Sequence, residues 1–103
     1  MLVLVARSND LDLSRVGVAA SRKLGSAVAR NRAKRLLREA ARHLYPRLKA
    51  GWDVMLIARP KILDAKEPQV EEVLAQLLKR AKLSTSDKSS RDSEATALQE
   101  AEE

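Results

Sequence analysis

No cysteine occurs among the 103 residues, so the chain carries neither a disulfide staple nor a thiolate metal site, which suits a reducing compartment. Phenylalanine is also absent, and Tyr45 and Trp52 are the only aromatic residues. That scarcity argues against a platform on which successive bases of single-stranded RNA stack. The single histidine, His43, cannot build a zinc centre alone and reads as a capping or surface group at a helix end. Ser21 and Ser26 have no His/Asp constellation near them, and nothing in the spacing of Asp10, Asp12 and Asp53 indicates a cation site. No catalytic side chain, metal ligand or tightly bound cofactor is therefore assigned. Long apolar runs are missing too. Met1 to Ala6 is apolar but short and is followed by Arg7, which fits neither a membrane span nor the order of a signal peptide. A cytoplasmic protein with no membrane partner is expected.

What the chain does have is positive charge, unevenly placed. Residues 1–60 hold thirteen Lys/Arg against four Asp/Glu, whereas residues 61–103 hold seven against ten. Between Arg22 and Arg42 there are eight cations and one acid, Glu39. A helix face exposed only to solvent usually alternates sign, because like charges four residues apart repel by a few tenths of a kcal/mol. Here Arg30, Lys34, Arg38 and Arg42 repeat one sign at that interval, and Glu39 relieves part of the repulsion through Arg35 and Arg42. Such density points to a polyphosphate partner. Arginine predominates, which favours the planar fork that grips phosphate. Asn31 offers hydrogen bonds to a base edge, a ribose hydroxyl or a backbone carbonyl, or serves only as surface polarity. These features leave DNA against RNA undecided.

The chain length allows one small domain, with a thin core built from Leu, Val and Ala. Leu2–Ala6 reads as a buried strand, Asn9–Asp12 as a turn and Arg15–Ala20 as a second strand, with a hairpin as the default pairing. Gly17 within it serves a close backbone approach or marks a bulge. Ser26 is the expected cap of a helix from Ala27 to about Tyr45, ended by Pro46. Its apolar arc comprises Ala29, Ala33, Leu36, Leu37, Ala40, Ala41 and Leu44. Trp52–Ala58 reads as a central strand, able to pair in parallel with the second through the helical connection. A last helix spans roughly Pro68 to Lys82, with Val70, Val73, Leu74, Leu77, Leu78 and Ala81 facing inward. The domain is thus placed at 1–83 and a disordered acidic tail at 84–103.

Three stretches together resemble the protein component of bacterial ribonuclease P. They are Gly17-Val18-Ala19-Ala20-Ser21-Arg22-Lys23-Leu24-Gly25, the run Ala27 to Ala40 with Arg30-Asn31-Arg32…Lys34-Arg35…Arg38-Glu39, and the strand Gly51 to Pro60. The resemblance covers residues 1 to about 82. It implies an α/β two-layer sandwich similar to the second domain of ribosomal protein S5, with a small sheet and a left-handed βαβ crossover around the basic helix. It further implies a subunit of an endoribonuclease in which a separate RNA, using Mg2+, removes the 5′ leader of precursor tRNA. The protein would bind that catalytic RNA, and no obligate protein partner is implied. On this reading Arg22, Lys23, Arg30, Asn31, Arg32, Lys34, Arg35 and Arg38 are the RNA-binding residues. Two departures stand out. The family normally begins with a basic N-terminal helix whose aromatics line the leader cleft, whereas this chain starts at the first strand, through a late start assignment or true shortening. Ala41 stands where many relatives carry phenylalanine. The alternatives are a ribosomal-type structural protein binding rRNA and a helical module binding DNA.

Overall fold

A computed structural model describes residues 1–84 and 96–100. The elements follow the order β1 (Leu2–Ser8), β2 (Arg15–Ala20), α1 (Ala27–Leu44), β3 (Trp52–Ala58), α2 (Glu67–Arg80) and β4 (Thr96–Glu100). They form a two-layer α/β sandwich in which both helices cover one face of a mixed sheet. The strand order is β2-β3-β1-β4.

The expected hairpin between β1 and β2 does not form. β3 lies between them, antiparallel to β1 and parallel to β2. The residues linking β1 to β2 explain this. Asn9 accepts a hydrogen bond from the Leu11 amide on its side-chain oxygen at 2.7 Å, and its side-chain nitrogen donates to Asp53 at 2.9 Å. Its own amide donates to the Gly51 carbonyl, and the Gly51 amide donates to that of Leu13. The connection is therefore tied across the start of β3 and delivers the chain to its far side. Buried Ser14 completes the tie: its hydroxyl donates to the Lys49 carbonyl at 2.6 Å and accepts from the Trp52 amide at 2.9 Å. Tyr45 donates to the Ser14 carbonyl at 2.6 Å.

Alternation along the strands sends Leu2, Leu4 and Ala6 of β1, with Val54, Leu56 and Ala58 of β3, against the helices. Ala33, Leu37, Ala40 and Leu44 of α1 and Val70, Leu74, Leu77 and Leu78 of α2 meet them. Ala29, Leu36 and Ala41, expected inside, are half-buried, as are Val73 and Ala81. No aromatic is among the fully buried side chains, so the core is aliphatic throughout.

Three boundaries differ from expectation. β1 runs on to Ser8, because Arg7 and Ser8 continue the ladder opposite Asp53 and Trp52. α1 gives way at Tyr45–Arg47 to a 3-10 turn that takes Pro46. α2 stops at Arg80, where Lys82 adopts a positive φ of 62° and the Leu83 amide closes on the Leu78 carbonyl. Leu83 is thereby buried, its carbonyl accepts from the Lys49 amide, and Ser84 bridges Leu48. Disorder expected from residue 84 onward is thus corrected at Ser84 and at residues 96–100, which pair with β1 from Val3↔Glu100 to Arg7↔Thr96. The rest of that tail lies outside the described residues.

Candidate nucleic-acid interface

The interface begins with the turn that follows β2. Arg22–Leu24 form a single 3-10 turn, initiated by Ser21, whose hydroxyl accepts from the Lys23 amide at 3.1 Å. Leu24 is buried and pins the turn to the core, which leaves Arg22 and Lys23 exposed. Gly25 then takes a φ of 95°, a conformation that favours glycine, and turns the chain into α1. Ser26 caps the helix as expected, its hydroxyl accepting from the Ala29 amide at 3.2 Å.

From this start α1 runs eighteen residues, about 27 Å at 1.5 Å each. Its small buried residues Ala33 and Ala40 let one flank sit close to the sheet and α2. The opposite arc carries Asn31, Arg35 and Arg38, all exposed, with exposed Arg32 on one side and half-buried Lys34 on the other. Apart from half-buried Arg30, the expected residues therefore share the outer surface of one helix and the turn before it.

They are not equally free. The Arg30 guanidinium donates to the Gly25 carbonyl at 2.6 Å and so braces the helix start. Glu39 pairs with Arg42 alone, not with Arg35 as well, and that hydrogen bond holds its carboxyl below the usual range. Among the described residues, Arg22, Lys23, Arg32, Lys34, Arg35 and Arg38 have no side-chain hydrogen bond or ion pair. A group of guanidinium and ammonium donors left without internal acceptors is suited to phosphate oxygens.

Two concavities adjoin this helix and the sheet. Between edge strand β2 and α1 lies a groove of about 740 Å³, bounded by Val16, Val18, Ala41 and Tyr45, with Arg38 and Arg42 at its rim. The short side chain of Ala41 leaves it open. The sheet face away from the helices carries Val5, Met55 and Ile57, and holds a shallow depression of about 440 Å³ beside Arg7, Arg15 and Asp53. Met55 is 42% exposed there. A Cβ on Gly17 would lie 3.2 Å from the Met55 methyl, so this glycine serves close approach of a neighbouring side chain, and the ladder through it is continuous without a bulge. Arg15 grips Asp53 with two hydrogen bonds of 2.9 and 2.8 Å. Together with Asn9, it holds the Asp53 carboxyl at about 2. Asp53 is thus committed to these partners.

Sequence spacing missed one cluster. His43 reaches across to Glu67 and Glu71 of α2. Only the i,i+4 spacing of the two glutamates was visible beforehand, and the docking of α2 on α1 was not. Among the described residues no helix is long and apolar enough to cross a membrane.

Comparison with known proteins gives a consistent result. The family model described as Ribonuclease P matches residues 1–82. The ribonuclease P protein component of Symbiobacterium thermophilum is 51% identical over 70 residues, covering 68% of this chain and 61% of that protein. That of Dehalococcoides mccartyi is 47% identical over 83 residues, covering 81% of this chain and 68% of that protein. The chain thus spans less than two thirds of the first relative's length. Among solved structures, the RNase P protein from Thermotoga maritima superposes with a TM-score of 0.69 at 36% identity, covering 77% of this chain and 76% of that one. The Staphylococcus aureus RNase P protein gives 0.68 at 34% identity, covering 80% and 75%.

Proposed function

Because the chain belongs to the ribonuclease P protein family, we propose that it is the RNA-binding subunit of a cytoplasmic ribonucleoprotein that removes the 5′ leader from precursor tRNA. The observation that carries this reading is the set of cations on α1 and its preceding turn that lack partners among the described residues. Arg22, Lys23, Arg32, Lys34, Arg35 and Arg38 neutralise phosphates of the catalytic RNA. Arg30 orients the helix start through Gly25 and presents its remaining donors. Asn31, exposed among the cations, supplies a neutral donor and acceptor for a ribose or base edge.

The bond-breaking chemistry belongs to the RNA, assisted by Mg2+. The cationic face does not fit such an ion, since its one carboxylate, Glu39, is engaged by Arg42. The open sheet face around Val5 and Met55, with Arg7 at its edge, offers an apolar floor along which the precursor leader passes.

Reconstitution with the ribonuclease P RNA tests the reading. The protein should accelerate leader removal at low Mg2+, and protein alone should cleave nothing. No stimulation by the chain, with the RNA active at high Mg2+, would remove it.

A further inference from the structure

We propose that His43, Glu67 and Glu71 form a binding site for a divalent first-row transition cation such as Zn2+ or Mn2+, clamping the end of α1 to the start of α2. His43 Nδ1 lies 3.1 Å from Glu71 Oε1 and 3.4 Å from Glu67 Oε2. All three donor atoms fall within 4.8 Å of one another. Metal–ligand bonds of about 2.1 Å at tetrahedral angles place neighbouring donors about 3.4 Å apart, so the two contacts match the edges of such a shell.

A second observation points the same way. Glu67 Oε2 is shielded from solvent and makes no hydrogen bond. Its titratable neighbour is His43 Nδ1 at 3.4 Å, which forms no hydrogen bond with it, and a solvent-shielded carboxylate oxygen without a hydrogen bond is unfavourable. A cation between this oxygen and the imidazole supplies the missing partner. Neither carboxylate is paired with a lysine or arginine among the described residues, so no internal cation competes.

The donor set selects the ion. One imidazole and two carboxylates suit Zn2+ or Mn2+, whereas Mg2+ favours an all-oxygen shell. The three groups leave room for water to complete the coordination. His43 projects from a different flank of α1 than Asn31, Arg35 and Arg38 and lies about three turns beyond Arg32 on the flank the two share, so a bound ion braces the last turn of the helix at a distance from those cations. The site is independent of the ribonucleoprotein reading, since it is measured on the chain without RNA.

The test uses the full chain, freed of metal with a chelator. Calorimetric titration with ZnCl2 should give one saturable site per chain. MgCl2 at the same concentration should not displace it. His43→Ala and Glu71→Gln should each weaken Zn2+ binding by more than the about 10- to 100-fold typical of losing an outer-shell partner, with circular dichroism confirming that both variants fold. Because His43 is the only histidine, its ring gives one set of imidazole NMR signals, and Zn2+ should shift the Nδ1 resonance in the unmodified chain. Imidazole signals unmoved by saturating Zn2+, or affinity unchanged in both variants, would overturn the proposal and leave a plain ion-pair bridge.

Discussion

Removing single cations from α1 separates those reserved for a partner from those used within the fold. Lys34→Ala, Arg35→Ala and Arg38→Ala each delete a charge that has no acceptor of its own among the described residues. A cation about 4 Å from a phosphate contributes about 1 kcal/mol in bulk water and more beside a low-dielectric surface, so each variant should bind the catalytic RNA about fivefold or more weakly. Each lost contact should also reduce the slope of log affinity against log salt by about 0.7 to 0.9. Between 50 and 200 mM monovalent salt, that difference amounts to about threefold, so the defect should shrink by this factor across the range. The double variant Glu39→Gln/Arg42→Gln provides the contrast. It removes a neutralised pair, leaves the net charge unchanged and should leave the slope where it was. Fluorescence anisotropy of labelled RNA at fixed Mg2+ reads both quantities. Unchanged slopes in all three single variants, or a reduction in the double variant equal to theirs, would refute the reasoning.

Two further predictions concern the scaffold. Ser26→Ala removes the hydroxyl that accepts from the Ala29 amide and should lower stability by about 1 kcal/mol, read from the denaturant midpoint, with amide exchange rising first in the opening turn of α1. The Asp53 carboxyl is held at about 2, below its ordinary 3.8, chiefly by hydrogen bonds from Arg15 and then Asn9. A depressed carboxyl stabilises the fold fully above its unfolded value and loses that contribution as pH falls through the folded one. Melting followed by circular dichroism should therefore show part of the acid destabilisation between about pH 4 and pH 2, and Asp53→Asn should melt lower at neutral pH and lack that component. Parallel pH profiles for the two proteins would contradict the assignment.

The parts of the fold visible in the sequence are those fixed by neighbours along the chain. Ser26 announced the helix start, and the 100° spacing of Ala33, Leu37, Ala40 and Leu44 identified its inner face. The bounds of β2 and β3 followed from apolar runs ended by polar or turn residues. Strand order did not follow, because it depends on Asn9 and Ser14 binding residues some forty positions away on β3 and the chain before it. The same division holds in the interface. That Arg35 and Arg38 point outward is helical periodicity. That Glu39 chooses Arg42 over Arg35 and that Arg30 turns back to Gly25 are matters of side-chain geometry. The grouping of His43 with Glu67 and Glu71 required two helices to dock.

The pattern of internal engagement along α1 has its own logic. Four cations at i+4 intervals, Arg30, Lys34, Arg38 and Arg42, cost the isolated helix a few tenths of a kcal/mol at each step. The fold compensates only at the two ends, through the Gly25 carbonyl for Arg30 and the Glu39 carboxylate for Arg42. A helix selected for stability alone would place acids beside Lys34 and Arg38 as well. Their absence leaves the centre repulsive in the free protein, and the phosphates of an RNA partner would relieve that repulsion. Binding then stabilises the folded state by mass action, about 2.7 kcal/mol at a ligand concentration a hundred times Kd. For a small aliphatic core without a fully buried aromatic, that is a substantial share of the total. The charges that weaken the free helix are thus the ones through which an RNA partner would secure it.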